Sequence, residues 1–319
     1  MVNMPMDAVW RMRYRQGGLR GAICAVAVFV MTFAIAAAAE AQKSFTSPEA
    51  AITALVDAVK LNDQPLLRAI LGPHSSKLIS SGDPVADERG RAAFSKAYSE
   101  TNQLLVEGGT KATLVIGKDA WPFPIPLVKS GGGWRFDTRQ GEHEILSRRI
   151  GRNELAAIQV CLAIVDAERE YAAEDADSDG VLEYAPRFAS TPGKHDGLYW
   201  PTKSGGPQSP LGSLLAAAAN DGYARSGIRS LAPYHGYFYR ILTKQGKDAP
   251  GGAYDYLVKG KMIGGFAVLA YPARYGASGF MTFIVNQDGK VYEKNLGKHT
   301  AEIASRMTTY NPDTSWKQP

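Results

Sequence analysis

The stretch from Arg148 to Tyr184 constrains this chain more than any other. Leu155, Ile158, Leu162 and Val165 recur at spacings of three and four, the period of one helical face. Arg152, Glu154, Glu168 and Arg169 are left to the solvent side. The pattern predicts a long helix that delivers Glu174, Asp175, Asp177 and Asp179 at or just beyond its C-terminus, where backbone carbonyls already make the potential negative. Carboxylates stacked there need a cation or strong donors. Asp175, Asp177 and Asp179 followed by Gly180 match the first half of an EF-hand-like calcium loop, with the Val181 carbonyl and Glu183 as further oxygens. Position twelve of such a loop falls on Pro186, so the bidentate glutamate is absent. The site expected is a weak one, with Kd on the order of 10⁻⁴–10⁻³ M. The alternative is a solvated acidic turn paired with lysine or arginine.

Upstream, residues 1–41 read as a Sec-type export signal. A basic segment ending at Arg20 precedes an apolar run from Ala22 to Ala38, and Ala39-Glu40-Ala41 offers a small-x-small cleavage pattern. The mature chain is expected to start near Gln42, in the periplasm or outside the cell, with no stable membrane span after cleavage. A retained anchor is the alternative, because the apolar run approaches bilayer length. Cleavage would remove Cys24 and leave Cys161 alone, so no internal disulfide is expected. It would also remove four arginines and two acids, leaving 32 basic against 29 acidic residues, a net charge of +3. That balance, with no long Lys or Arg block, argues against nucleic acid as a partner.

With 319 residues, two domains are the natural expectation, over 44–140 and 141–319. The first opens on Ser47 as helix cap with Pro48 and Glu49 behind it, followed by the stripe Ile52, Leu55, Val56 and Val59. A shorter helix carries Leu66, Leu67, Ile70 and Leu71, and Gly72-Pro73 ends it. A further helix is predicted from about Asp87 to Leu105, with Phe94, Ala97 and Tyr98 inward, while Asp83, Asp87 and Glu88 read as a solvated loop. Alternation at Ala112, Leu114 and Ile116 then signals strands. The prolines of Trp121–Val128 restrict it to an edge strand or a polyproline-like run, and a glycine turn leads into Trp134–Asp137. In the distal half, the Gly/Pro-rich region 191–210 reads as ordered but irregular. A short Ala-rich helix follows at Leu211–Ala219. Strands are expected at Tyr237–Leu242, Tyr254–Val258, Gly265–Tyr271 and Phe280–Asn286, with Gln287-Asp288-Gly289 turning into Val291. The fold class is therefore α+β.

Helix entry followed by a closing GGW-F strand resembles the nuclear-transport-factor-2-like superfamily, which implies a cone-shaped pocket between a curved sheet and helices. The helix from Asn153 to Tyr171, the D-x-D-x-D-G loop, Gly276–Gly279 and Thr282–Val291 resemble the globular part of pilin and pseudopilin-like proteins. That implies a helix spine on an antiparallel sheet. Here, unlike in pilins, a whole domain stands before the spine. Over nearly the whole mature chain, stretches such as GWRFDTRQGEHEILSRRIGRNELAAIQV, STPGKHDGLYWP and TFIVNQDGKVYEKNLG resemble the bacterial family known as domain of unknown function 2950. This implies an exported protein and no particular reaction.

Aromatic residues cluster around two histidines. His195, Tyr199 and Trp200 in one segment, with His235 and Tyr237 in another, are candidate ligand-binding residues for an envelope glycan or protein partner, because aromatic faces with polar tips suit such ligands. Packing is the competing explanation for the same residues. Glu142-His143-Glu144 reads as a charged helical start, and Cys161 as a packing residue. No nucleophile elbow, phosphate loop or zinc motif occurs. The expectation is an exported binding or assembly protein with no assigned catalytic residue. A hydrolase acting on envelope material and a pilus-like structural subunit are the alternatives.

Overall fold

The computed structural model describes residues 41–176, 178–202, 206–223 and 232–319. The predicted export segment and Cys24 lie outside the described residues, as does Asp177 of the acidic loop. The fold is α+β, with helices on antiparallel sheets around two apolar cores.

Helices α1 (Pro48–Lys60) and α2 (Gln64–Leu71) begin as their sequences dictate. The Ser47 hydroxyl accepts from the Ala50 amide at 3.2 Å and the Asp63 carboxylate from the Leu66 amide at 2.9 Å, each with proline in the first turn. A single-turn helix α3 (Ser76–Ile79) leads to α4 (Pro84–Glu100), capped by Asp83. The predicted continuation of this helix to Leu105 does not occur. Asn102–Glu107 is instead a strand, β1, paired with β2 (Lys111–Ile116) across a turn at Gly108-Gly109. Both glycines have positive φ, so the turn chemistry prevails over the helical spacing of Leu104 and Leu105. The sheet runs β1-β2-β4-β5, with β3 (Trp121–Pro122) on β2, β4 at Leu127–Ser130 and β5 at Gly133–Phe136. Two-residue turn Gly131-Gly132 joins β4 to β5, again with both φ positive.

Helix α5 (Thr138–Ala172) has 35 residues, roughly 50 Å at the α-helical rise. It begins ten residues before Arg148 and serves both cores. Near its start the Thr138 hydroxyl donates to the Leu71 carbonyl at 2.6 Å, and Ile145 packs on the first core. Gly141 lets the helix lie against the Pro124 backbone, where a Cβ would overlap. Beyond Asn153 it crosses a second sheet, β11-β10-β9-β6, made of β6 (Tyr237–Leu242), β9 (Ala267–Pro272), β10 (Thr282–Asn286) and β11 (Val291–Lys294).

The buried face of α5 coincides only in part with the predicted stripe: Val165 is buried and Ile158 and Leu162 pack half-buried on the core, but Leu155 falls outside it. Ala157, Val160, Cys161, Ile164, Val165, Glu168 and Tyr171 are buried, whereas Leu155 is 69 % exposed. Leu155 lies six residues from Cys161, about 120° around the helix, and small side chains at 157 and 161 let the helix sit close on the sheet. Two residues assigned to solvent are also recruited. Glu154 accepts from the Phe280 and Met281 amides at 2.8 and 3.0 Å, and the Glu168 carboxyl accepts from the Ala185 amide at 2.8 Å.

The region after α5 is irregular, as its glycines and prolines require, until α6 (Gly212–Asn220). Two short strands, β7 (Lys244–Gln245) and β8 (Tyr254–Asp255), form a small sheet with β12 (Thr309–Tyr310). Residues Ala267 to Ala270 of β9 are buried on both faces, and α7 (Thr300–Arg306) packs on that strand as well as α5. Arg240 of β6 caps α7, donating to the Ala304 and Ser305 carbonyls at 2.6 and 2.8 Å. No described helix is long and apolar enough to cross a membrane.

Candidate functional site

A cleft of about 760 Å³ opens between α4, the middle of α5 and the first core. Its floor is apolar: Leu55, Val59, Leu67 and Leu71 from α1 and α2, with Ile125 and Ile145. Phe94 of α4 meets Phe123 at a ring separation of 5.6 Å, and Trp121 sets its edge on Phe123 at 6.2 Å, so aromatic rings close one end. Helix α4 has 17 residues and not one is fully buried. An amphipathic helix normally presses its apolar side into a core. Here Phe94, Ala97 and Tyr98 pack on the first core only half-buried, as their spacing predicted, and the space beside them stays open as the cleft, which Ala93 and Phe94 line.

The rim is cationic. Arg148, Arg149 and Arg152 occur at helical spacing on one side of α5, and Arg89 and Arg91 come from α4. Arg149 is a structural anchor, donating to the Lys77 and Leu78 carbonyls at 2.7 and 2.8 Å. Burial lowers its pKa; Asp87 opposes that shift, while Arg152 and Arg274 add to it. Arg89 pairs with Asp221 at 2.9 Å and Arg148 with Glu144 at 2.7 Å. Arg91 and Arg152 engage no protein partner among the described residues. Among the described residues Asp87 is the sole acid of the lining, and its two oxygens accept from the Ser81 amide.

At the inner end stand Tyr223 and His235, held by Asp83. Asp83 is not solvated, as its sequence context suggested, but fully buried. One oxygen caps α4 through the Ala86 amide at 3.1 Å, and the other accepts from the Tyr223 hydroxyl at 2.7 Å and the Gly236 amide at 2.8 Å. Burial and the bond to Asp83 push the Tyr223 pKa well up, so the phenol stays a donor. His235 and Gly236 form the tight turn between Tyr234 and Tyr237, both with positive φ. Burial holds the His235 imidazole below its ordinary pKa despite Asp221 and Asp83 nearby.

Of the candidate ligand-binding residues His195, Tyr199, Trp200, His235 and Tyr237, only His235 lines this cleft. Tyr237 is fully buried, and its hydroxyl donates to the Met281 carbonyl at 3.0 Å. His195 stacks on Trp200 at 4.3 Å and 21°, its carbonyl accepting from the Tyr171 hydroxyl at 2.8 Å. Trp200 is buried and donates to the Pro207 carbonyl at 3.2 Å, and Tyr199 bridges Ala189 through its backbone. Asp196 spends its carboxylate on the Thr191 amide and hydroxyl. Burial raises its pKa, but those bonds and Arg187 bring it below the usual range. In the acidic loop, Asp175 accepts from the Asp179 and Gly180 amides at 3.0 and 2.8 Å. Lys261 sits between Asp179 and Glu183, 3.4 Å from the latter, and the Met262 amide donates to Glu183 at 2.8 Å. Among the described residues no group of three His, Cys, Asp or Glu side chains is placed to hold a metal ion. Burial pushes the Cys161 thiol up to about 12, consistent with packing.

A smaller cavity of about 270 Å³ lies between α5 and β6, lined by Val160, Ile164, Phe238 and Ile241 among others. One of its two arginines, Arg240, is committed to capping α7. The larger cleft is the one that joins an apolar floor to unpaired cations. The arginines that make it were missed from sequence because α4 and α5 are separated by a whole sheet in the chain. The local signal was the RRIGR run at Arg148–Arg152, which places three guanidinium groups on neighbouring turns.

Fold and cleft together define an α+β protein with a ligand-sized, arginine-rimmed hollow beneath a lightly packed helix. The chain belongs to the family described as "Protein of unknown function (DUF2950)", which it matches over residues 42–318. No curated protein and no solved structure matches it.

Proposed function

We propose that this is an exported binding protein of the bacterial envelope that holds a small ligand in the cleft between α4 and α5. The supporting observation is the unfilled volume beneath α4, about 760 Å³, which falls within the roughly 300–1,000 Å³ of small-molecule sites. The signal-like pattern of residues 1–41, basic then apolar then Ala39-Glu40-Ala41, supports a periplasmic or secreted location. Binding is favoured over hydrolysis by the lining itself. His235 packs on Tyr234 at 4.1 Å and burial lowers its pKa, and of the two carboxylates near it Asp221 pairs with Arg89 and Asp83 is committed to three donors. Calcium at the acidic loop would take the place Lys261 occupies between Asp179 and Glu183.

A neutral naphthylamine dye, whose emission rises in apolar surroundings, tests the reading. The mature protein should enhance its fluorescence saturably. Phe94→Arg, which puts a charge at the aromatic end of the cleft, should abolish the enhancement while the melting temperature stays within a few degrees. No enhancement by the wild-type protein, or undiminished enhancement by the variant, refutes a binding site here.

A further inference from the structure

We infer that the cleft takes a long-chain carboxylate, a single-chain anionic amphiphile, with its tail beneath α4 and its head between Arg91 and Arg152. This rests on the cleft being a binding site and adds the chemistry of the occupant. The floor supplies aliphatic and aromatic side chains and few free hydrogen-bonding groups. Ser81 already has its amide on Asp87 and accepts from the Asp83 amide, and Asn153 donates to the Ser278 carbonyl at 2.9 Å. A peptide, whose every residue carries an amide and a carbonyl, would leave those groups unpaired against such a surface. A hydrocarbon chain needs no such partners.

The rim adds the charge. Among the described residues five arginines line the cleft against one aspartate, and the pairs Arg89–Asp221 and Arg148–Glu144 neutralise two of them. Arg149 is pinned to backbone carbonyls beside Asp87. Arg91 and Arg152 remain, one on each helix wall, with no partner among the described residues. A planar guanidinium on each side suits a carboxylate, which accepts two parallel N–H donors from either. Besides burial, repulsion from Arg152 lowers the Arg149 pKa, and an anion at this rim relieves that repulsion, so the unliganded cleft favours a negative head. An uncharged chain gains only the floor.

Competition against the naphthylamine dye with the mature protein separates the alternatives. Hexadecanoate should displace the dye, and each methylene removed should weaken displacement by about fourfold. Hexadecanol, equal in chain and uncharged, should compete at least about tenfold less well, the worth of one charge-assisted contact. In Arg91→Glu/Arg152→Glu, both rim changes, the dye should still bind while the preference for carboxylate over alcohol disappears. Equal competition by the two ligands, or unchanged carboxylate preference in the double variant, overturns the assignment and leaves the binding site standing. Phosphatidylglycerol vesicles that compete as well as hexadecanoate at equal chain concentration also overturn it, in favour of a membrane lipid. Failure of the dye to bind the wild-type protein removes the site altogether.

Discussion

Glu168 gives the fold a built-in dependence on pH. Its carboxyl is fully buried on α5, accepts one bond from the Ala185 amide, and has a second oxygen without a partner among the described residues. Burial raises its pKa well above 4.5, and the single amide bond only partly offsets this. The folded chain therefore keeps the proton at pH values where the unfolded chain has released it. Stability from this group is full below about 4.5 and declines as pH rises toward the folded pKa, at about 1.4 kcal/mol per pH unit. Each pH unit crossed in that window is a sizeable share of a typical folding free energy. Glu168→Gln keeps an oxygen for the Ala185 amide and cannot ionise. Urea unfolding at pH 4.5, 5.5, 6.5 and 7.5 should show wild type and variant within about 1 kcal/mol at the lowest value. The variant should gain steadily above it. A difference that stays constant with pH would refute a buried, protonated Glu168.

Two further outcomes follow from other buried and paired carboxylates. Asp83→Ala strands the Tyr223 hydroxyl and the Ala86 and Gly236 amides, so urea unfolding should show a loss of about 3–5 kcal/mol; a loss below about 1 kcal/mol would contradict the role of Asp83. Lys261→Met removes the cation between Asp179 and Glu183, so calorimetric titration should show tighter calcium binding than in wild type; no heat from either protein would dismiss calcium from the loop.

Much of the scaffold was legible because its signals are local. Ser47-Pro48-Glu49 starts α1 by capping, Gly131-Gly132 turns a hairpin, and Gln287-Asp288-Gly289 turns β10 into β11. The long helix was legible in type and only in part in its face, where Val165, Ile158 and Leu162 meet the core and Leu155 does not. Leu155 fits a spacing rule, yet the contact surface is set by how closely small residues let α5 approach the sheet, which spacing does not encode. Asp83 and Glu168 were read as solvated because charge usually is. Each is instead buried against amides supplied by distant segments, at Gly236 and Ala185. The cleft was the least legible feature. It exists because α4 and α5 are held apart over the first core, and a volume left empty has no residue pattern of its own.

Amide hydrogen exchange with and without hexadecanoate tests the central claim most directly. The account predicts slowed exchange in residues 84–100, 121–125 and 145–153, the walls and end of the cleft, and in no segment around His195 or Trp200. Unchanged exchange along α4, or protection confined to the His195–Trp200 segment, would contradict it.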